Sequence, residues 1–87
     1  MNWQVFFTSL AQKDAKKIAH AGLKGKTEKL LQILQDNPFQ NPPSYEKHVG
    51  DLLGAYSRRI NIQHRLVYQV LEQEKVVKVL RMWTHYE

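Results

Sequence analysis

Tyr56-Ser57-Arg58-Arg59-Ile60-Asn61-Ile62-Gln63-His64-Arg65-Leu66-Val67-Tyr68 is the stretch on which the fold turns. With Asn61–Gln63 as a three-residue hairpin loop, Ile60 faces His64 and Arg59 faces Arg65. Two arginines then sit side by side on one face of a sheet. Like charges directly opposite each other disfavour a hairpin by up to about 1 kcal/mol, a cost that a site for an anion can tolerate. A guanidinium meets phosphate oxygens with two parallel hydrogen bonds, so the pair has the geometry of a phosphate clamp. Without a fixed ligand it is an exposed basic face. By strand parity Arg58 points the other way, toward whatever covers the sheet. It can be accommodated there by snorkelling out at an edge.

Outward from this hairpin the pattern continues as strands. Ala55 to Ile60 reads as one, His64 to Leu71 as a second and Lys75 to Trp83 as a third, with the β-branched signal carried by Val76, Val77 and Val79. Glu72-Gln73-Glu74 makes the turn before the third strand. A short extended piece is expected around Glu46–Val49.

Upstream the period changes. Trp3, Val5 and Phe7 alternate with Gln4 and Phe6, a short strand. Ser9-Leu10-Ala11-Gln12 fits a capping box that opens a helix, whose apolar stripe is Ala11, Ala15, Ile18 and Ala19 and whose stop is Gly22. A second helix carries Leu23, Leu30, Leu31 and Leu34 on one face and Lys24, Lys26, Glu28 and Lys29 toward solvent. Gly25 weakens its first turn and Asn37-Pro38 ends it. Residues 39–44, with Pro42 and Pro43, form a stiff loop. The order β-α-α-β-β-β-β predicts an α+β domain over residues 1–87, its two helices packed on one face of a twisted antiparallel sheet and the other face open.

Composition narrows the chemistry. The 87 residues suit one domain. Hydrophobic residues at 43% and charged ones at 24% are those of an ordinary globular chain. Cysteine is absent, which excludes disulfides, zinc ribbons and thiol nucleophiles and fits a cytoplasmic protein. No apolar run reaches the roughly 18 residues of a membrane helix. The net charge of +5 suits a polyanionic partner. His20, His48, His64 and His85 show no metal-ligand spacing, and no glycine-rich phosphate loop is present. Neither a metal nor a cofactor is expected.

Two further positions are candidates for proton transfer. Glu46 lies where the sheet begins and is a general-base candidate, or a surface carboxylate. The C-terminal Trp83-Thr84-His85-Tyr86-Glu87 is open to two readings, a frayed tail or a general acid with its neighbour. Two arginines, a carboxylate and a histidine suit one reaction in particular. The 2′-hydroxyl of RNA attacks its own 3′-phosphate, a base takes its proton, an acid protonates the leaving 5′-oxygen and cations stabilise the charge. The nucleophile comes from the substrate, and DNA lacks it.

Tyr56–Ile60, His64–Tyr68 and the terminal His85-Tyr86, together with Asn37-Pro38-Phe39, the Glu46 region and Gly54, resemble the YoeB/Txe toxins of the RelE-like group. The likeness runs in register from about Asn37 to the end. It implies two helices on a twisted antiparallel sheet, as in microbial ribonucleases, and a ribosome-dependent endoribonuclease that cuts messenger RNA and so inhibits translation. It also implies a YefM/Phd-type antitoxin whose C-terminal segment covers the active face. Position by position, Glu46 matches the general base, His85 the general acid, Arg59 and Arg65 the phosphate-holding arginines, and Tyr86 the aromatic beside the acid. Arg58 is expected to be structural or a peripheral RNA contact, and His48 a secondary one. Relatives of the YoeB branch usually end at the tyrosine, whereas Glu87 follows here. Many also carry a proline just after the glutamate, where this chain has Lys47-His48. Monomer and homodimer are both open. The competing reading is a module that binds RNA or the ribosome without cutting, or a degenerate toxin that serves with its antitoxin as transcriptional co-repressor.

Overall fold

A computed structural model describes residues 2–47 and 54–83. The chain runs β1 (Gln4–Phe7), α1 (Ser9–His20), α2 (Lys24–Asp36), β2 (Glu46–Lys47), β3 (Ala55–Arg59), β4 (Arg65–Leu71) and β5 (Val76–Arg81). This is the predicted element order. The strands form one sheet in the order β1-β5-β4-β3-β2.

From β2 to β5 the sheet is an antiparallel meander, but β1 pairs with β5 in parallel, Gln4 beside Val76 and Phe7 beside Val79. The sheet is therefore mixed, not wholly antiparallel as expected. A period-two pattern tells which face a residue takes and says nothing of strand direction. The two helices supply the long connection that a parallel neighbour requires, carrying the chain to the far edge, from which three reversals bring β5 back alongside β1.

The helix ends follow local chemistry. Thr8, not Ser9, is the N-cap of α1. Its backbone is extended and its Oγ1 accepts from the Ala11 N–H at 3.1 Å, while the hydroxyl donates to the Leu80 carbonyl. The expected capping box does not form, since the residue three after Thr8 is Ala11, and the Gln12 amide reaches the Phe7 carbonyl instead. Gly22, at φ +74°, ends α1 in the left-handed conformation that glycine adopts without a steric penalty. Asn37 ends α2 just before Pro38.

Ala11, Ile18, Leu30 and Leu34 from the helices bury against Leu66, Tyr68, Val77, Val79 and Met82 from the sheet. Ala19, assigned to the α1 stripe from its spacing, is exposed, and Asp14 is buried in the same face. A bulge at Leu80, where Val67 pairs with Arg81 and Tyr68 with Val79, lets Val79 and Met82 both reach the core although they are three residues apart.

Asp14 closes the end of β5. Its Oδ2 accepts from the Arg81 Nε at 2.8 Å and from the Met82 and Trp83 amides at 3.0 and 3.2 Å. Burial alone would push its carboxyl up. The Arg81 hydrogen bond and the two amides outweigh burial and hold it below its ordinary 3.8, while the same pairing raises Arg81. A carboxyl depressed in the folded state stabilises above its unfolded value and loses that contribution as pH falls through the folded one. Asp14→Asn is therefore expected to cost about 2 kcal/mol at pH 7, a value discounted because Arg81 is 39% exposed. Urea melts at a series of pH values should show the gap from the parent narrowing below pH 4. A gap that is constant with pH would refute the ionic contribution.

Candidate active site

The open face of the sheet gathers charge at the β2-β3-β4 edge. Register places Glu46 opposite Ser57 and Arg59 opposite Arg65, so all four lie on one face of three adjacent strands. The arginine pairing is the one the hairpin predicts. The loop closes as expected, with the Ile60 N–H donating to the His64 carbonyl and Asn61 Oδ1 accepting from the Gln63 and His64 amides. Ser44, Tyr45, Glu46, Ser57, Arg59 and Arg65 line a polar cleft of about 240 Å³.

Within the cleft the Arg65 guanidinium donates to Glu46 Oε1 at 2.9 Å. This bridge runs diagonally over β3, from the level of Ser57 to that of Arg59. Its two ends differ, for the Glu46 side chain is 68% exposed and that of Arg65 only 17%. A carboxylate open to solvent, a well-seated guanidinium and a second, exposed one at Arg59 make a surface that can hold an anion and take a proton beside it. A larger cavity of about 360 Å³ lies between α1 and α2, lined by Phe7, Ile18, Leu31 and Met82 among others. It lies on the helix side and is mainly apolar, although Lys16, Lys24 and Glu28 also line it, and it lacks the paired arginines and facing carboxylate of the smaller one.

Arg58 explains how Glu46 reaches this place. The residue is 1% exposed. Its Nε donates to the Tyr68 hydroxyl at 3.0 Å, and its two terminal nitrogens donate to the Pro38 carbonyl at 2.8 Å and the Pro43 carbonyl at 2.6 Å. The guanidinium also lies 4.9 Å from the centre of the Tyr45 ring. Of the two roles expected for it, this geometry fits the structural one, and a guanidinium so enclosed is not a peripheral RNA contact. It does not snorkel out, because the proline loop folds over it and brings carbonyls to it. Burial pushes the Tyr68 hydroxyl up against the lowering influence of Arg58. The phenol stays neutral and donates its own hydrogen to the Pro38 carbonyl at 3.2 Å. Phe39, Tyr45 and Tyr56 meet edge-on or tilted around this anchor, and Tyr56 stacks on Tyr68. The loop is thereby fixed from Pro38 to Tyr45, and Glu46 is the next residue.

His64 is buried at the start of β4 and stacks on Trp83, their rings 3.8 Å apart. His48, His85 and Tyr86 lie outside the described residues. Sequence reasoning misses Ser57, Tyr45 and Asp14 as parts of the site or its support. Strand parity with Arg59 is the signal that could have placed Ser57 in the cleft. None in the sequence marks Asp14, which sits among lysines.

Comparison with known proteins agrees with this architecture. The family description "YoeB-like toxin of bacterial type II toxin-antitoxin system" matches residues 5–86. Toxin YoeB of Mycobacterium bovis is 34% identical over 86 residues, covering 97% of this chain and 88% of the relative. A YoeB/ParE toxin from Agrobacterium tumefaciens superposes with a TM-score of 0.85 at 27% identity, covering 95% of this chain and 99% of that one. YoeB of Staphylococcus aureus, solved in complex with YefM and as a dimer, gives TM-scores of 0.80 and 0.82 at 30% identity, covering 99% of this chain and 100% of that one. The fold, two helices on a five-stranded mixed sheet, is that of the RelE-like toxins. Within that class the chain belongs to the YoeB family, the toxins of bacterial type II toxin–antitoxin systems.

Proposed function

We propose that this chain is an endoribonuclease that cuts messenger RNA on the ribosome, with no metal in its mechanism. The observation that carries the reading is the Glu46–Arg65 bridge laid across β3 beside Arg59 on the open face. An incoming phosphate competes with Glu46 for Arg65. As the guanidinium turns to phosphate oxygens, the carboxylate is released next to the group it must deprotonate. Glu46 takes the proton of the 2′-hydroxyl, whose oxygen attacks the adjacent phosphorus. The bond to the 5′-oxygen breaks, and His85 gives that oxygen a proton. Arg59 and Arg65 carry the extra negative charge in the transition state. The products are a 2′,3′-cyclic phosphate and a 5′-hydroxyl. Tyr86 positions a nucleotide, and His48 is a secondary RNA contact.

The partner that restrains this activity is an antitoxin of the YefM/Phd type lying over the basic cleft. The Staphylococcus aureus relative solved with YefM supports an antitoxin partner of this type, and its dimer supports self-association of this chain. Action on ribosomes places the protein in the cytoplasm. Among the described residues no helix is long and apolar enough to cross a membrane.

Primer extension on a translated reporter tests the reading, with wild type and His85→Ala, each with and without ribosomes. New 5′ ends inside codons, dependent on ribosomes and absent with His85→Ala, are expected. Cutting by His85→Ala at the wild-type rate would remove the acid assignment. RNA bound but never cut would leave a binding module.

A further inference from the structure

Ser57 is a buried residue of the cleft whose chemistry the mechanism leaves unused. It is 1% exposed, and its Oγ meets no hydrogen-bond partner among the described residues. A buried hydroxyl without a partner destabilises the fold, and one in a strand centre calls for an explanation. Valine, threonine or isoleucine would suit a buried strand position better on packing grounds. The position itself supplies the explanation. Ser57 lies opposite Glu46 and two residues from Arg59, on the same face, in the strand that the Glu46–Arg65 bridge crosses. It therefore forms the floor of the cleft, between the carboxylate and the two guanidinium groups.

We infer that Ser57 is a third phosphate ligand of this site, its hydroxyl donating to a non-bridging oxygen of the phosphate held by Arg59 and Arg65. The inference rests on the phosphate-binding half of the ribonuclease reading and not on cleavage. Opening of the bridge by an anion uncovers the hydroxyl and gives it the acceptor it lacks. A serine is small enough to leave room for the phosphate above it. Three donors from two adjacent strands define a pocket for one tetrahedral anion.

The test separates binding from cutting. The probe is a short RNA with 2′-deoxyribose at the cut position, which cannot be cleaved, and its affinity is read by fluorescence anisotropy at fixed salt. Ser57→Ala is expected to weaken binding about tenfold, the scale of one hydrogen bond to a charged group. Its Tm should equal or exceed that of the parent, because the hydroxyl makes no hydrogen bond among the described residues. Ser57→Thr, which keeps the hydroxyl, should bind within about threefold of wild type. A marked fall in Tm for Ser57→Ala would assign the hydroxyl to the fold and overturn the inference. So would unchanged affinity, or failure of the wild type to bind the probe. A wild type that binds through Ser57 yet cuts no RNA would sustain this ligand while refuting the ribonuclease.

Discussion

Arg65→Ala should lower the rate of RNA cleavage by about a thousandfold, the upper range for loss of one group aimed at developing charge, and leave the fold almost untouched. The two effects separate because of where the side chain sits. Its bridge to Glu46 has one end 68% exposed, and bridges of that kind contribute about 0–1 kcal/mol. Removing it also relieves the facing Arg59 of a like charge across the β3–β4 pair. In the transition state the balance is different. In the proposed reaction bound RNA would exclude water from the cleft, and a guanidinium already seated against the phosphate would need no reorganisation when the charge develops. Arg65→Lys should recover little, since an ammonium cannot offer two parallel hydrogen bonds. Single-turnover cleavage assays and thermal melts on the same preparations check both halves. A loss of activity that merely tracks a loss of Tm would sink the assignment.

Arg58→Met should do the reverse, destabilising the fold heavily and reaching the chemistry only through the loop it anchors. The substitution keeps much of the side chain's length but strands the Pro43 carbonyl, leaves the Pro38 carbonyl with the Tyr68 hydroxyl alone and removes a donor from Tyr68. Hydrogen bonds from a charged donor contribute about 1.5–3 kcal/mol each, though the desolvation of the guanidinium offsets part of their sum. A net loss of about 4 kcal/mol is expected, a large share of the 5–15 kcal/mol typical of a whole domain. Denaturant melts should show the midpoint falling accordingly. In the fraction that stays folded, Glu46 should be misplaced and cleavage slowed, because the loop that carries it has lost its tie to the sheet. A midpoint within experimental error of the parent would mean that the proline loop holds itself without Arg58.

The contrast between these neighbouring arginines shows how far sequence reasoning reaches. Alternation along β3 sends Arg58 and Arg59 to opposite faces, and the three-residue loop sets Arg59 against Arg65. Both follow from the order of residues alone. So do the seven elements in order, because the switch from a helical to a two-residue period falls at the proline loop. Glu46 is a candidate from its place at the start of the sheet. Its partnership with Arg65, nineteen residues away, depends on β2 joining the edge of β3 at one particular register.

What the sequence determined by itself was local, namely which residues alternate, where helices stop, and which charges must face each other across a tight turn. Local rules do this because strand parity and turn geometry act over a few residues. Only the tertiary structure decided that β1 runs parallel to β5, that Asp14 in the first helix caps the last strand, and that Arg58 is enclosed by carbonyls instead of reaching solvent. It alone set the Glu46–Arg65 bridge over Ser57. Each of these joins groups distant in the chain, and what selects them is the requirement that buried polar atoms find partners once the core has closed. That demand is met across the whole packed molecule and leaves no pattern in any one segment.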